Sequence, residues 1–216
     1  MKKIYTTIIL AFLAWGLAQA QEQSTLGYTP SSYYTFSWNT AFPIGDLNDW
    51  VGEPGFAGFD FGGRFMLPKK GLTAGFNFGW QRIAKIYDDQ TYTIPDKGLA
   101  ITAENYRFTW LVPFQVVVAY HLMPEKIISP YVGLGIGGDY MEHHLMVQEY
   151  DIYEDYWDFS LTPEIGILAK FGSFSNWGGL LAFNYKWTTN KIELYQTTYK
   201  NLQMLNLKVG IAYIIR

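Results

Sequence analysis

From residue 33 to the end of the chain, apolar and polar positions alternate with a period of two, in eight runs. That period places successive side chains on opposite faces, so each run predicts a β-strand with one greasy face and one small or polar face. The runs are Tyr33 to Phe42, Phe56 to Leu67, Leu72 to Arg82, Tyr106 to Tyr120, Pro130 to Tyr140, Asp158 to Phe171, Gly178 to Trp187, and Leu202 to Ile215. In the third, "LTAGFNFGWQR", Leu72, Ala74, Phe76, Phe78 and Trp80 share one face, while Thr73, Gly75, Asn77, Gly79 and Gln81 share the other.

Each run is long enough for the ~9–11 tilted residues that cross a bilayer. The connections alternate in length. Residues 68–71, 121–129 and 172–177 are short turns, and residues 43–55, 84–105, 141–157 and 188–201 are expected as long loops. Short turns on one side and long loops on the other describe an outer-membrane barrel, with both ends of an even strand set in the periplasm. The expected fold is all-β: an eight-stranded antiparallel transmembrane up-and-down β-barrel over residues 33–216. Pro113 and Pro163 fall inside runs. A proline cannot donate to a strand ladder, so each predicts a bulge or a later strand start.

The polar faces carry Asp60, Arg64, Asn77, Gln81, Gln115, Glu164, Lys170, Asn184, Lys186, Asn206 and Lys208. Both charge signs are present, which the dry core of a soluble sandwich cannot hold unpaired. Inside a narrow barrel the same residues form a polar network with one another and with trapped water, and the aromatic faces look outward into lipid. The rival, a soluble lipocalin-like barrel, requires a charged outer face. Here the faces opposite the aromatics are instead dominated by Gly, Ala, Thr and Ser. Trp38, Trp80, Tyr106, Tyr120, Tyr131, Tyr140, Trp157, Trp187 and Tyr213 are expected in the interfacial girdles. Eight strands leave room for side chains only, which predicts a plugged lumen.

Composition agrees. Aromatic residues make up 19% of the chain and charged residues 16%, against roughly 25% charged in an average soluble domain. Residues 1–20 read as a signal peptide: Lys2 and Lys3, an apolar run, then Ala18-Gln19-Ala20. Residues 21–32 are expected as an N-terminal periplasmic segment. Net charge falls from −3 to −5 when Lys2 and Lys3 leave with the leader. An acidic chain argues against a nucleic-acid partner. The absence of cysteine excludes thiol chemistry and Cys-ligated zinc.

Two stretches resemble a known family. "YRFTWLVPFQVVVAYHLMPEKIISPYVGLGIGG" (106–138) has a strand with an internal proline, a short turn, then "PYVGLG" opening the next strand. "NTAFPIGDLNDWVGEPGFAGFDFGGRF" (39–65) has a P-x-G-D loop after the first strand. Both resemble the OmpA/OmpX-like outer-membrane β-barrel group, often labelled porin-family. The resemblance covers essentially the whole mature chain and implies the barrel fold, an outer-membrane location, and Pro113 as a family feature. It says little about activity.

Candidate chemistry is sparse. "GLGIGG" (133–138) lies on a strand without a following helix, so it is not a phosphate loop. His143 and His144, with Glu142, Glu149 and Asp151, point apart in a strand and give no metal site. A lipid A-modifying rim hydrolase needs a Ser/His pair with a carboxylate. His121 is expected in a periplasmic turn, and His143 and His144 have no nearby Ser in sequence, although Ser160 could approach in space. The most distinctive external segment is "MEHHLMVQEYDIYEDYW" (141–157). Its Glu149, Tyr150, Asp151, Tyr153, Asp155, Tyr156 and Trp157 are either a solvated loop or a contact surface for an envelope or extracellular protein. The expectation is a structural or interaction protein of the outer membrane without catalysis, cofactor or metal, monomeric and solvated by outer-membrane lipid. The alternatives are a narrow channel for small solutes or ions, and the rim hydrolase.

Overall fold

The computed structural model describes residues 30–94, 99–148, 150–173, 175–193 and 198–216. The expected signal peptide and residues 21–29 of the expected periplasmic segment lie outside the described residues. The elements are β1 (Ser32–Ile44), α1 (Asp46–Val51), β2 (Ala57–Met66), β3 (Leu72–Ile94), β4 (Leu99–His121), β5 (Ile128–Val147), β6 (Tyr150–Lys170), β7 (Trp177–Thr188), β8 (Lys191–Ile192), β9 (Tyr199–Lys200) and β10 (Gln203–Ile215). Strands β1 to β7 and β10 form one closed antiparallel barrel in sequence order, and β8 and β9 pair as a separate ribbon. Closure comes from β1 against β10, from Ser32↔Ile215 to Ile44↔Gln203.

The two-residue period sorts the side chains. Phe36, Phe61, Val116, Leu134, Ile165, Leu181 and Ile211 are exposed on the outer wall, while Asp60, Arg64, Glu164, Lys186 and Lys208 are buried inside. This inside-out arrangement is stable only where hydrocarbon replaces water around the wall. Charged or titratable side chains on the outer wall of the described strands include Arg82, Glu104, Glu142, His144, Asp151 and Asp155, all toward the extracellular ends of β3 to β6. The belt below them holds none among the described residues. Tyr131, expected in a girdle, is a correction: it shares the inward face with Gly133 and Gly135 and is 4% exposed.

The strands run further than the hydrophobic pattern. Residues 84–105 and 141–157, expected as loops, are mostly strand: β3 and β4 have 23 residues each, β5 has 20 and β6 has 21. The β3–β4 ladder continues to Ile94↔Leu99, with one bulge between Tyr87 and Gln90. Above the membrane the outer face of a strand meets water while its inner face packs on the upper plug of the barrel, so the apolar alternation that marks a spanning strand fades while the backbone pairing persists. Four strands thus rise from one side of the barrel as a blade.

Pro113 and Pro163 cause neither a bulge nor a strand start. Pro113 pairs with Asp139 on β5, but the β3–β4 ladder skips from Phe78↔Phe114 to Gln81↔Leu111 without change of register. Pro163 pairs with Leu134, and the β6–β7 ladder skips from Leu161↔Trp187 to Glu164↔Asn184 in register. Each proline thus leaves an unbridged gap in one of its two ladders, and the barrel's remaining pairings hold the alignment.

The first external loop folds into α1, which ends at Gly52 with φ 56°, a left-handed position suited to glycine. Close approach of β2 and β3 explains Gly75, where a Cβ would collide with the Gly63 carbonyl oxygen.

Candidate functional site

The lumen is layered. At the periplasmic end Tyr33, Leu168, Ala212 and Ile214 form a small apolar floor. His121, expected in a turn, is the last residue of β4 and 1% exposed. It bonds Tyr33 Oη at 2.9 Å and Ser129 Oγ at 3.0 Å. Lys170, also buried, donates to the Pro124 carbonyl at 3.3 Å at the periplasmic mouth.

Above the floor, three acids and three bases are buried together: Asp60, Asp139 and Glu164 with Arg64, Lys186 and Lys208. Lys208 Nζ lies 3.1 Å from Asp60 and 3.3 Å from Glu164. Lys186 Nζ lies 2.8 Å from Asp139. Neutral groups complete the set. Asn39 donates to Asp60 at 2.8 Å, Tyr131 to Glu164 at 2.8 Å, and Ser160 to Asp139 at 2.9 Å. Asn184, Asn206 and Gln81 form a chain from Glu164 at 3.2, 2.9 and 3.2 Å. Gln115 donates to Ser160 and Thr162, and Arg64 to Asn77 and the Phe76 carbonyl. Charge balance and dense hydrogen bonding make burial tolerable, because each ion meets an opposite charge or several dipoles, while Asn39 Oδ1 stays without a partner. Two cavities of about 10 Å³ remain in this layer, each about the size of one water.

The sequence pattern does not reveal the third layer. Leu47, Trp50 and Val51 of α1 turn into the extracellular half of the barrel, where they pack with Ile83, Leu111, Met141, Leu145, Ile192, Leu202 and Met204. Arg107 caps this cork, with its guanidinium 5.0 Å from the Trp50 ring and 4.6 Å from the Tyr87 ring. Tyr87 Oη donates to the Trp50 carbonyl at 3.0 Å, and Lys200 N to Asp46 at 2.9 Å. The one early signal is apolar Leu47, Trp50 and Val51 inside a loop otherwise built from turn residues.

At the cork's side, His143 Nε2 donates to Asn190 Oδ1 at 2.7 Å, its Nδ1 shares a 2.9 Å hydrogen bond with Thr109 Oγ1, and Asn190 donates to Asp158 at 2.7 Å. Burial pushes the imidazole down to about 4 against the opposing Asn190 bond. His144 points the opposite way, onto the outer wall, and stacks between Phe108 (4.2 Å) and Tyr153 (5.5 Å).

The expected contact segment is strand rather than loop, and its residues divide between two faces. Asp151, Tyr153, Asp155 and Trp157 lie on the outer wall; Tyr150 and Tyr156 lie on the other face; Glu149 lies outside the described residues. Tyr150, Tyr153 and Trp157 are strongly exposed.

Eight antiparallel strands closed around a polar interior, with aromatics turned outward, define the fold of small bacterial outer-membrane barrels, as the sequence resemblance implied, and the charge-free belt places the chain in the outer membrane. No family model and no curated protein matches the sequence. Among solved structures the chain is similar to Neisserial surface protein A, at 13% identity over 86% of this chain and 98% of that one, with a TM-score of 0.52. It is also similar to Ail, the attachment invasion locus protein of Yersinia pestis, at 9% identity over 87% and 100% of the two chains (TM-score 0.48). A third is the N-terminal barrel domain of Pseudomonas aeruginosa OprF, at 10% identity over 86% and 100% (TM-score 0.40). The shared feature is the barrel itself.

Proposed function

We propose that this protein is a non-conducting, non-catalytic structural or interaction barrel that holds a four-stranded blade outside the cell. The observation that carries this reading is the doubly closed lumen. An ion-paired layer with cavities of about 10 Å³ lies under an apolar cork. A diffusion path needs a continuous water column, and ion pairs filling one layer with apolar side chains filling the other argue against it. The blade, by contrast, is rigid through backbone pairing and carries exposed Tyr150, Tyr153 and Trp157 together with carboxylates. Large rings and charge on a stiff frame suit contact with an envelope or extracellular protein. On this reading the protein is a monomer: closure through β1 and β10 leaves no free barrel edge for a second copy to pair with.

A hydrolase is disfavoured by the same geometry. Among the described residues the Ser–His contact is His121 with Ser129, and both are 1% exposed in the periplasmic floor. The test is conductance in planar bilayers. Folded protein is expected to insert silently, and steady single-channel steps would overturn the closed-lumen reading.

A further inference from the structure

The outer wall carries one feature that the closed barrel does not use. Arg82 is the first outward residue above Trp80 on β3, opposite Trp110 on β4, and is thus set at the upper edge of the aromatic belt. Among the described residues it is the one lysine or arginine on the outer wall of the barrel strands. Its guanidinium lies 4.9 Å over the Phe108 ring and 5.7 Å from the Tyr106 ring. It donates to Tyr106 Oη at 2.6 Å. The Phe108 ring is backed in turn by His144, nearly parallel at 11°. The cation is therefore held in place by a stack that crosses β3, β4 and β5.

What Arg82 lacks is an anion. Among the described residues no ion pair joins it to a carboxylate, although Glu104, Glu142, Asp151 and Asp155 occupy the same wall. Glu142 is engaged instead by Tyr140 at 2.6 Å, and Asp151 by His144 at 3.0 Å. Arg82 Nε is enclosed and Nη2 is held by Tyr106, while Nη1 has no hydrogen-bond partner among the described residues. The donors left over, on Nη1 and the second Nη2 hydrogen, are fixed at the level of the lipid headgroups and suit an oxyanion, phosphate above all.

We propose that Arg82 binds a phosphate group of an outer-leaflet lipid. The phosphate approaches the free side of the guanidinium beside Trp80 and Trp110, whose rings flank the lipid at its glycerol or sugar level. The site supplies one fixed point of lipid contact on the β3–β4 side, at the foot of the blade. This rests on the reading of the chain as an outer-membrane barrel.

The test uses the full mature protein refolded into phosphatidylcholine vesicles, with insertion scored by heat-modifiable gel mobility. Retention of bisphosphorylated lipid A is then measured by native mass spectrometry, for wild type and Arg82→Gln. The expected result is normal insertion of both proteins and retention about fivefold weaker in the variant, the size of one interfacial cation's attraction. In wild type, dephosphorylated lipid A is expected to be retained as weakly as lipid A is by Arg82→Gln, and excess inorganic phosphate is expected not to displace the lipid. Equal retention by both proteins, or indifference to the phosphates, overturns the proposal. Displacement by inorganic phosphate reassigns the site to free phosphate and also overturns it. Failure of wild type to insert strikes the barrel reading instead.

Discussion

At the residue scale, burial combined with pairing is what stabilises the interior. Lys208 stands between Asp60 and Glu164, each near 3 Å. Lys208→Met removes the cation and leaves two enclosed carboxylates facing one another. The expected loss is about 3–5 kcal/mol, the cost of stranding buried charge. It is read as a lower urea midpoint for loss of the folded gel form in vesicles. His143 supplies a pH dependence of known sign. Its folded-state value of about 4 lies below the ordinary 6.5. The unfolded chain therefore binds more protons between those values, and the stability from the neutral imidazole, full above pH 6.5, is lost as pH falls toward about 4. His143→Gln is expected to flatten the stability profile across that window.

At the element scale, α1 is the unexpected part. A six-residue helix has no stability of its own, yet it fills the upper barrel because Trp50 (2% exposed), Leu47 and Val51 are fully enclosed. Trp50→Ala is expected to cost about 3–5 kcal/mol, as for large aromatic deletions in cores, measured by thermal loss of the folded gel form. Conductance is still expected to be nil, because the ionic layer below remains shut. The spanning segments of the strands were legible from the two-residue period. Their upper halves were not: "EHHLMVQEYDIYED" shows no clean alternation, because neither face there is pressed against hydrocarbon. The prolines were misread for a related reason. Periodicity describes one strand, whereas the tolerance of Pro113 and Pro163 depends on the neighbours that keep the register.

At the scale of the whole molecule, the bilayer is a structural partner. Val116, at mid-belt, is 65% exposed on the outer wall. Val116→Arg is expected to destabilise the folded barrel by about 2–4 kcal/mol in vesicles. Glu104→Arg, on the blade above the belt, is expected to stay within about 0.5 kcal/mol. Equal effects at the two sites would contradict the assigned membrane level. The blade lies on the β3–β6 side alone, so the molecule presents one asymmetric surface to the exterior while its belt is uniform around the ring.

The amino-acid order by itself determined the strand count, the inward and outward faces, and the identity of most lumen ions. These follow from local alternation and from the rule that charge avoids hydrocarbon. Only the tertiary structure decided which ions pair, that Tyr131 meets Glu164, that Lys170 reaches the Pro124 carbonyl, and that α1 corks the upper barrel. These outcomes depend on which residues closure brings face to face across the barrel. Lys208 and Asp60 lie 148 positions apart in the chain, and no local pattern encodes that meeting.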